Sequence, residues 1–208
     1  MTDSLTAPAD HATPAPAAGP LTGPAAVSGP TRPDPTDLDA GFVRYLFQDW
    51  AVNARRPDSR LVLLIFRLSQ WAARHWGRPG RLVVLALQVL NSLLFGVELP
   101  AVCVIGPRLR LFHPHSIVLN PGVRLGADVQ LRHNTTLGNI VDRDGTERGN
   151  PVIGDGVDLG ATCAVLGPIV IGHGARVGAL AMVTKDVPDW GIAVGNPARV
   201  IRVDEPPA

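Results

Sequence analysis

IGDGVDLGATCAVLGPIVIGHGARVGALAMVTKDV, residues 153–187, sets an aliphatic side chain every six residues: Ile153, Leu159, Val165, Ile171, Val177 and Val183. The residue after each of the first five is small with one exception: Gly154, Gly160, Leu166, Gly172 and Gly178. A second apolar position, four residues into each hexad, holds Val157, Cys163, Ile169, Ala175, Ala181 and Val187. An α-helix repeats at about 3.6 residues and a flat strand at 2, so neither produces a period of six. A parallel β-helix does, because each hexad is one short strand plus a corner, and stacked coils bury the aliphatic column. Glycine suits the corners, where φ is positive or two backbones approach closely.

Working outward, the same beat begins at Ile105 and continues through Leu111 and Ile117. A two-residue shift carries it to Leu119, then Leu125, Leu131 and Leu137. Between the two blocks, residues 138–150 (GNIVDRDGTERGN) break the beat with charges and glycines. An irregular stretch inside a solenoid reads as an exposed loop beside a site.

The rest of the 208-residue chain leaves room for one domain with appendages. Residues 1–38 are rich in Ala, Pro, Gly and Thr without apolar periodicity, which predicts a disordered tail lacking the pattern of a signal peptide. Residues 39–97 predict a short α-helical segment. Its helices are expected over 42–55, over 61–76 with Asp58 or Ser59 as cap, and over 81–95, running into Gly96. Arg67, Gln70, Gln88 and Asn91 interrupt its apolar stretches, so no membrane span is expected. Packing of these helices on one another or on a neighbouring subunit is preferred over peripheral contact with a membrane. The β-helix then fills 98–203, and 204–208 form a tail.

Nineteen basic and 18 acidic residues give a net charge of +1, scattered along the chain, which argues against a nucleic-acid partner. Two cysteines, Cys103 and Cys163, make no disulfide framework, and Cys163 falls on an interior column as a filler suited to a reducing cytoplasm. Of the six histidines, His11 lies in the tail, His75 near a helix end and His173 at an outward hexad position. His113 and His133 are each third in their hexads and should point outward, while His115 falls where an interior side chain is expected. Glu98 lies fifteen residues before His113. A histidine backed by a carboxylate makes a general base, although a surface salt link is the default for such spacing.

The stretch from Phe95 to Arg202 resembles the catalytic part of the serine acetyltransferases, within the hexapeptide-repeat acyltransferases. The resemblance rests on VELPAVCVIG, LFHPHSIVL, VRLGADVQLRHNTTLGN, PVIGDGVDLGATCAVLGPIVIG and VTKDVPDWGIAVGNPARVIR. FQDWAVNARRP is similar to the end of that family's helical domain. The chain is also similar to shorter relatives that acetylate exopolysaccharide sugars, the colanic acid acetyltransferases. The resemblance implies a left-handed parallel β-helix, cytoplasmic, assembled as a homotrimer, with acetyl-coenzyme A as co-substrate, a small hydroxyl compound as acceptor and no metal. It places the catalytic base on His113 and its orienting acid, normally Asp, on Glu98. It places the coenzyme A groove on Asn139, Ala161 and Ala179, with Lys185 toward the phosphates.

The acceptor side departs from the family. Phe112 stands where the family's serine-binding Asp precedes the catalytic histidine, and Gly149 and Asn150 stand for an Arg-His pair ahead of Pro151. Arg132 and Arg148 remain as replacement cations, with His133 and Asn150 beside them as acceptor candidates. L-serine is the acceptor the family implies, and a sugar hydroxyl is the alternative. Two remoter readings are a β-helix metalloenzyme, with His113, His115 and His133 converging on zinc, and a non-catalytic scaffold. The ending Glu205-Pro-Pro-Ala208 lacks the family's terminal Ile, so docking of a sulfhydrylase there is not expected.

Overall fold

The structure, a computed structural model, describes residues 41–206. The tail expected over 1–38 lies outside them, as do His11 and the end of the C-terminal tail.

The column residues form a three-sided prism of parallel strands, the left-handed β-helix expected. Face one stacks β1 (Val104–Ile105), β4 (Arg124–Leu125), β7 (Val152–Ile153) and β10 (Val170–Ile171). Face two stacks β2 (Arg110–Phe112), β5 (Gln130–Arg132), β8 (Asp158–Leu159), β11 (Arg176–Val177) and β13 (Gly191–Val194), closed by antiparallel β14 (Arg199–Val203). Face three stacks β3 (Val118–Leu119), β6 (Thr136–Gly138), β9 (Ala164–Leu166) and β12 (Met182–Val183). Each coil visits the three faces in turn. Both six-residue columns point inward and are buried along the whole prism, Cys163 included. Thr135, the polar member of the second column, is satisfied by donating its hydroxyl to the Arg132 carbonyl at 2.7 Å.

Two details differ from the sequence reading. The two extra residues of the first coil sit at the corner holding His113 to Ser116, so Ile117 takes the second column and Leu119 the first. His115, expected inside, is therefore exposed. The glycines that follow the columns serve close approach: a Cβ on Gly160 would stand 2.4 Å from the Ala179 nitrogen of the next coil. Several left-handed corner positions are held instead by Asp128, Asn134, Thr162 and Leu180.

The helical segment caps the open end of the prism. α1 spans only Phe42–Leu46, and the expected continuation to residue 55 is a series of turns. The reason is tertiary: Asp49 and Asn53 are turned into the edge of face two. Asp49 Oδ1 accepts from Leu109 N at 2.8 Å, Asn53 Nδ2 donates to Leu109 O at 2.9 Å, and Asn53 Oδ1 accepts from Leu111 N at 3.2 Å. Side chains thus satisfy an edge strand that has no neighbour. α2 (Pro57–His75) starts earlier than expected, with Pro57 at the first position, where its missing N–H costs nothing, and Arg56 as N-cap. α3 (Gly77–Phe95) likewise takes Pro79 into its first turn and ends at Gly96 with φ 62°.

Arg67, read as an interruption, locks α2 to the prism. Its Nε bonds Asp49 Oδ2 at 2.8 Å, while Nη1 and Nη2 donate to the carbonyls of Ile105 and Gly106 at 2.9 and 2.8 Å. Burial opposes this charge most strongly, and the Asp49 carboxylate together with Tyr45 outweighs it, leaving the guanidinium pKa above its ordinary value. Val62, Leu63 and Phe66 complete the seal by joining the prism core.

Candidate active site

The corners between faces two and three line up as one edge, because equivalent residues of successive coils stack. His113, His133, Ala161 and Ala179 all fall on it, the histidines directly after β2 and β5 and the alanines one glycine beyond β8 and β11. His113 is exposed with φ 53°, and its ring centroid lies 6.2 Å from that of His133, nearly perpendicular to it. Farther along, Ala161 and Ala179 line a shallow hollow of about 340 Å³ with Gly160, Gly178, Arg132 and Asp158. At the corner itself Gly160, Ala161, Gly178 and Ala179 carry nothing beyond Cβ, so a thin ligand can lie against backbone there.

The strand positions beside this edge carry the surprises. Two guanidinium groups lie over the Phe112 ring, Arg56 at 4.1 Å and Arg132 at 4.9 Å from its centroid. Arg132 is also ion-paired with Asp158. Arg56 was not singled out from the sequence; its stacking depends on how the residue before α2 docks, which no local pattern encodes. Asp158 had a signal, since Gln130 and Asp158 are register partners on neighbouring coils and Arg132 lies two residues on.

Other expected residues lie elsewhere. Asn139 and Lys185 belong to the corner between faces three and one, the opposite border of face three. Asn139 Oδ1 accepts from Asn120 Nδ2 at 2.6 Å, and Lys185 is exposed. The four residues expected for the coenzyme are thus divided between two edges of one prism. The loop of residues 138–150 leaves from that second corner as a small hairpin, bridged between Val141 and Glu147. Arg148 is tied within it to Asp142 at 2.6 Å, a hydrogen bond that raises its pKa. Asn150 anchors the loop's return by donating to Pro121 O at 2.9 Å.

Glu98 pairs by backbone with Val118, one rung outside β3, and its side chain is exposed. Among the described residues no hydrogen bond or ion pair joins it to His113. Nor, among them, does any group of three His, Cys, Asp or Glu side chains, His113, His115 and His133 included, converge within the chain as a metal site.

No protein-family model matches the chain. It is 37% identical over 140 residues to a serine acetyltransferase of Mycobacterium tuberculosis, covering 67% of this chain and 59% of that one. It is 39% identical over 134 residues to serine acetyltransferase 2 of Arabidopsis thaliana, covering 64% and 41%. It is 38% identical over 125 residues to the putative colanic acid biosynthesis acetyltransferase WcaB of Escherichia coli, covering 60% and 74%. Among solved structures, soybean serine acetyltransferase complexed with serine superposes with a TM-score of 0.64 at 31% identity, over 76% of this chain and 68% of that one. The serine acetyltransferase of Neisseria gonorrhoeae gives 0.66 at 27%, over 79% and 67%. The chain belongs to the acetyltransferase family that contains the serine acetyltransferases and WcaB. It spans 38–59% of the length of the first serine acetyltransferases it matches.

Proposed function

We propose that the chain is an acetyl-coenzyme A-dependent O-acetyltransferase of the cytoplasm. The observation carrying this reading is the edge on which an exposed histidine, His113, stands in line with the small residues Ala161 and Ala179. The pantetheine arm lies along those alanines, and the thioester is delivered to His113. The imidazole takes the proton of the acceptor hydroxyl as that oxygen attacks the thioester carbonyl; collapse of the tetrahedral intermediate expels the coenzyme thiolate, which receives the proton. Glu98 orients the imidazole and stabilises its charged form once acceptor and donor are bound.

The division of the expected coenzyme residues between the two borders of face three supports a homotrimer. One prism then supplies His113, Ala161 and Ala179, and its neighbour supplies Asn139, Lys185 and the 138–150 hairpin over the acceptor. Asn139 of the neighbour is the donor for the developing oxyanion, and Lys185 meets the coenzyme phosphates.

L-serine is the acceptor that family membership favours. A sugar hydroxyl is the second reading, favoured by Phe112, which offers no negative charge for an ammonium group and lies under two arginines. Steady-state turnover with L-serine and with a panel of neutral and acidic sugars separates the two. Turnover of serine alone supports the first reading, and of sugars alone the second.

A further inference from the structure

One face of α3 is bound to α2. Gly80 packs so closely that a Cβ there would stand 2.4 Å from Ala72 O, and buried Asn91 donates to Val62 O at 3.1 Å. The opposite face is largely exposed. Leu82, Leu85, Val89 and Leu93 run along it at helical spacing, with Leu82 73% and Leu93 80% exposed, and Leu90 and Leu94 widen the stripe. An apolar band running the length of a helix of about 28 Å exceeds what a protein leaves to water without use.

The charge of the hairpin around this band is mostly positive, and Glu98, just past its end, shares a hollow with Val89. From Ser59 to Val97 the chain has no Asp or Glu. Exposed Arg74, Arg78 and Arg81 cluster where α2 turns into α3, beside exposed Trp76. Two copies pairing stripe to stripe in the same direction would bring two such clusters together, with the hairpin's one carboxylate, Asp58, at the far end of α2. An anionic bilayer neutralises them and covers the stripe at once, with tryptophan at its preferred headgroup level. Among the described residues no helix is long and apolar enough to cross a membrane, so the fit is to the surface.

We propose that the α2–α3 hairpin docks the protein on an anionic bilayer. α3 lies in the headgroup plane, with Leu82, Leu85, Val89 and Leu93 in the acyl boundary and Arg74, Arg78 and Arg81 on lipid phosphates. The test is co-sedimentation of the full chain with vesicles of phosphatidylcholine alone and of phosphatidylcholine mixed with phosphatidylglycerol. Wild type is expected to sediment with the mixed vesicles and to be released by salt. Arg78→Glu with Arg81→Glu is expected to weaken binding by at least about 25-fold, at about fivefold per arginine. Leu85→Asp with Leu93→Asp is expected to abolish it while circular dichroism stays unchanged. Should that leucine pair fail to fold, the arginine pair, confined to exposed side chains, carries the test. Absence of binding, or equal binding to both vesicles, overturns the proposal. So does a drop in particle mass by light scattering for the leucine pair without lipid, which would give the stripe to a second copy.

Discussion

At the scale of single residues, buried charge does more structural work than the sequence advertises. Arg67 and Asp49 are both nearly inaccessible, and each completes hydrogen bonds to the first coil. Arg67→Met leaves the Asp49 carboxylate buried without its cation, and we expect a loss of about 3–5 kcal/mol in unfolding free energy by denaturant titration. The two thiols make a second prediction. Burial pushes Cys103 and Cys163 up to about 11, against about 8.5 in an unfolded chain. Folded thiols therefore keep protons that the unfolded chain releases. Stability is unaffected below about pH 8.5 and declines as pH rises toward 11. At pH 8 neither thiol should react with a thiol reagent until denaturant is added, when both should. Residue identity showed Cys163 to be interior because it sits on a column; it could not show Arg67 inside, because burial of a charge depends on the carboxylate and carbonyls that tertiary structure brings to it.

At the scale of elements, what repeats was readable and what interrupts the repeat was not. The hexad positions from Ile153 to Val187 fix inward and outward faces coil by coil, and that register also puts Ala161 above Ala179 and His113 near His133. His115 was misplaced because a period does not say at which corner two extra residues are absorbed. The α1 helix was overextended because helical spacing at Phe42, Tyr45 and Leu46 says nothing of Asp49 and Asn53 reaching an edge strand. The departure of Phe112 from the family is legible in the sequence, but its two arginine partners are not, since Arg56 arrives from another element. The hairpin within residues 138–150 is held mainly by its own bonds, Val141 to Glu147 and Arg148 to Asp142. Excising residues 141–147 with a short glycine linker should leave the melting temperature nearly unchanged. In steady-state kinetics it should raise KM for the acceptor roughly tenfold, with a smaller change in KM for acetyl-coenzyme A.

At the scale of the molecule, the proposed homotrimer joins residues from the two borders of face three, one border from each of two neighbouring prisms. Light scattering should return three times the 22.0 kDa chain mass. Mixing two inactive variants, His113→Ala and one lacking the Asn139 and Lys185 side chains, should restore part of the turnover once subunits exchange, because a mixed trimer contains an interface with neither defect. A fully active monomer would contradict both. The central claim, that His113 is the base of an acetyl transfer, is tested most directly by thiol release from acetyl-coenzyme A with the acceptor that wild type turns over, comparing wild type with His113→Ala at equal, verified folding. The account predicts a fall in kcat of about 10²–10⁴-fold with the KM for acetyl-coenzyme A little changed. Undiminished kcat in His113→Ala would contradict it.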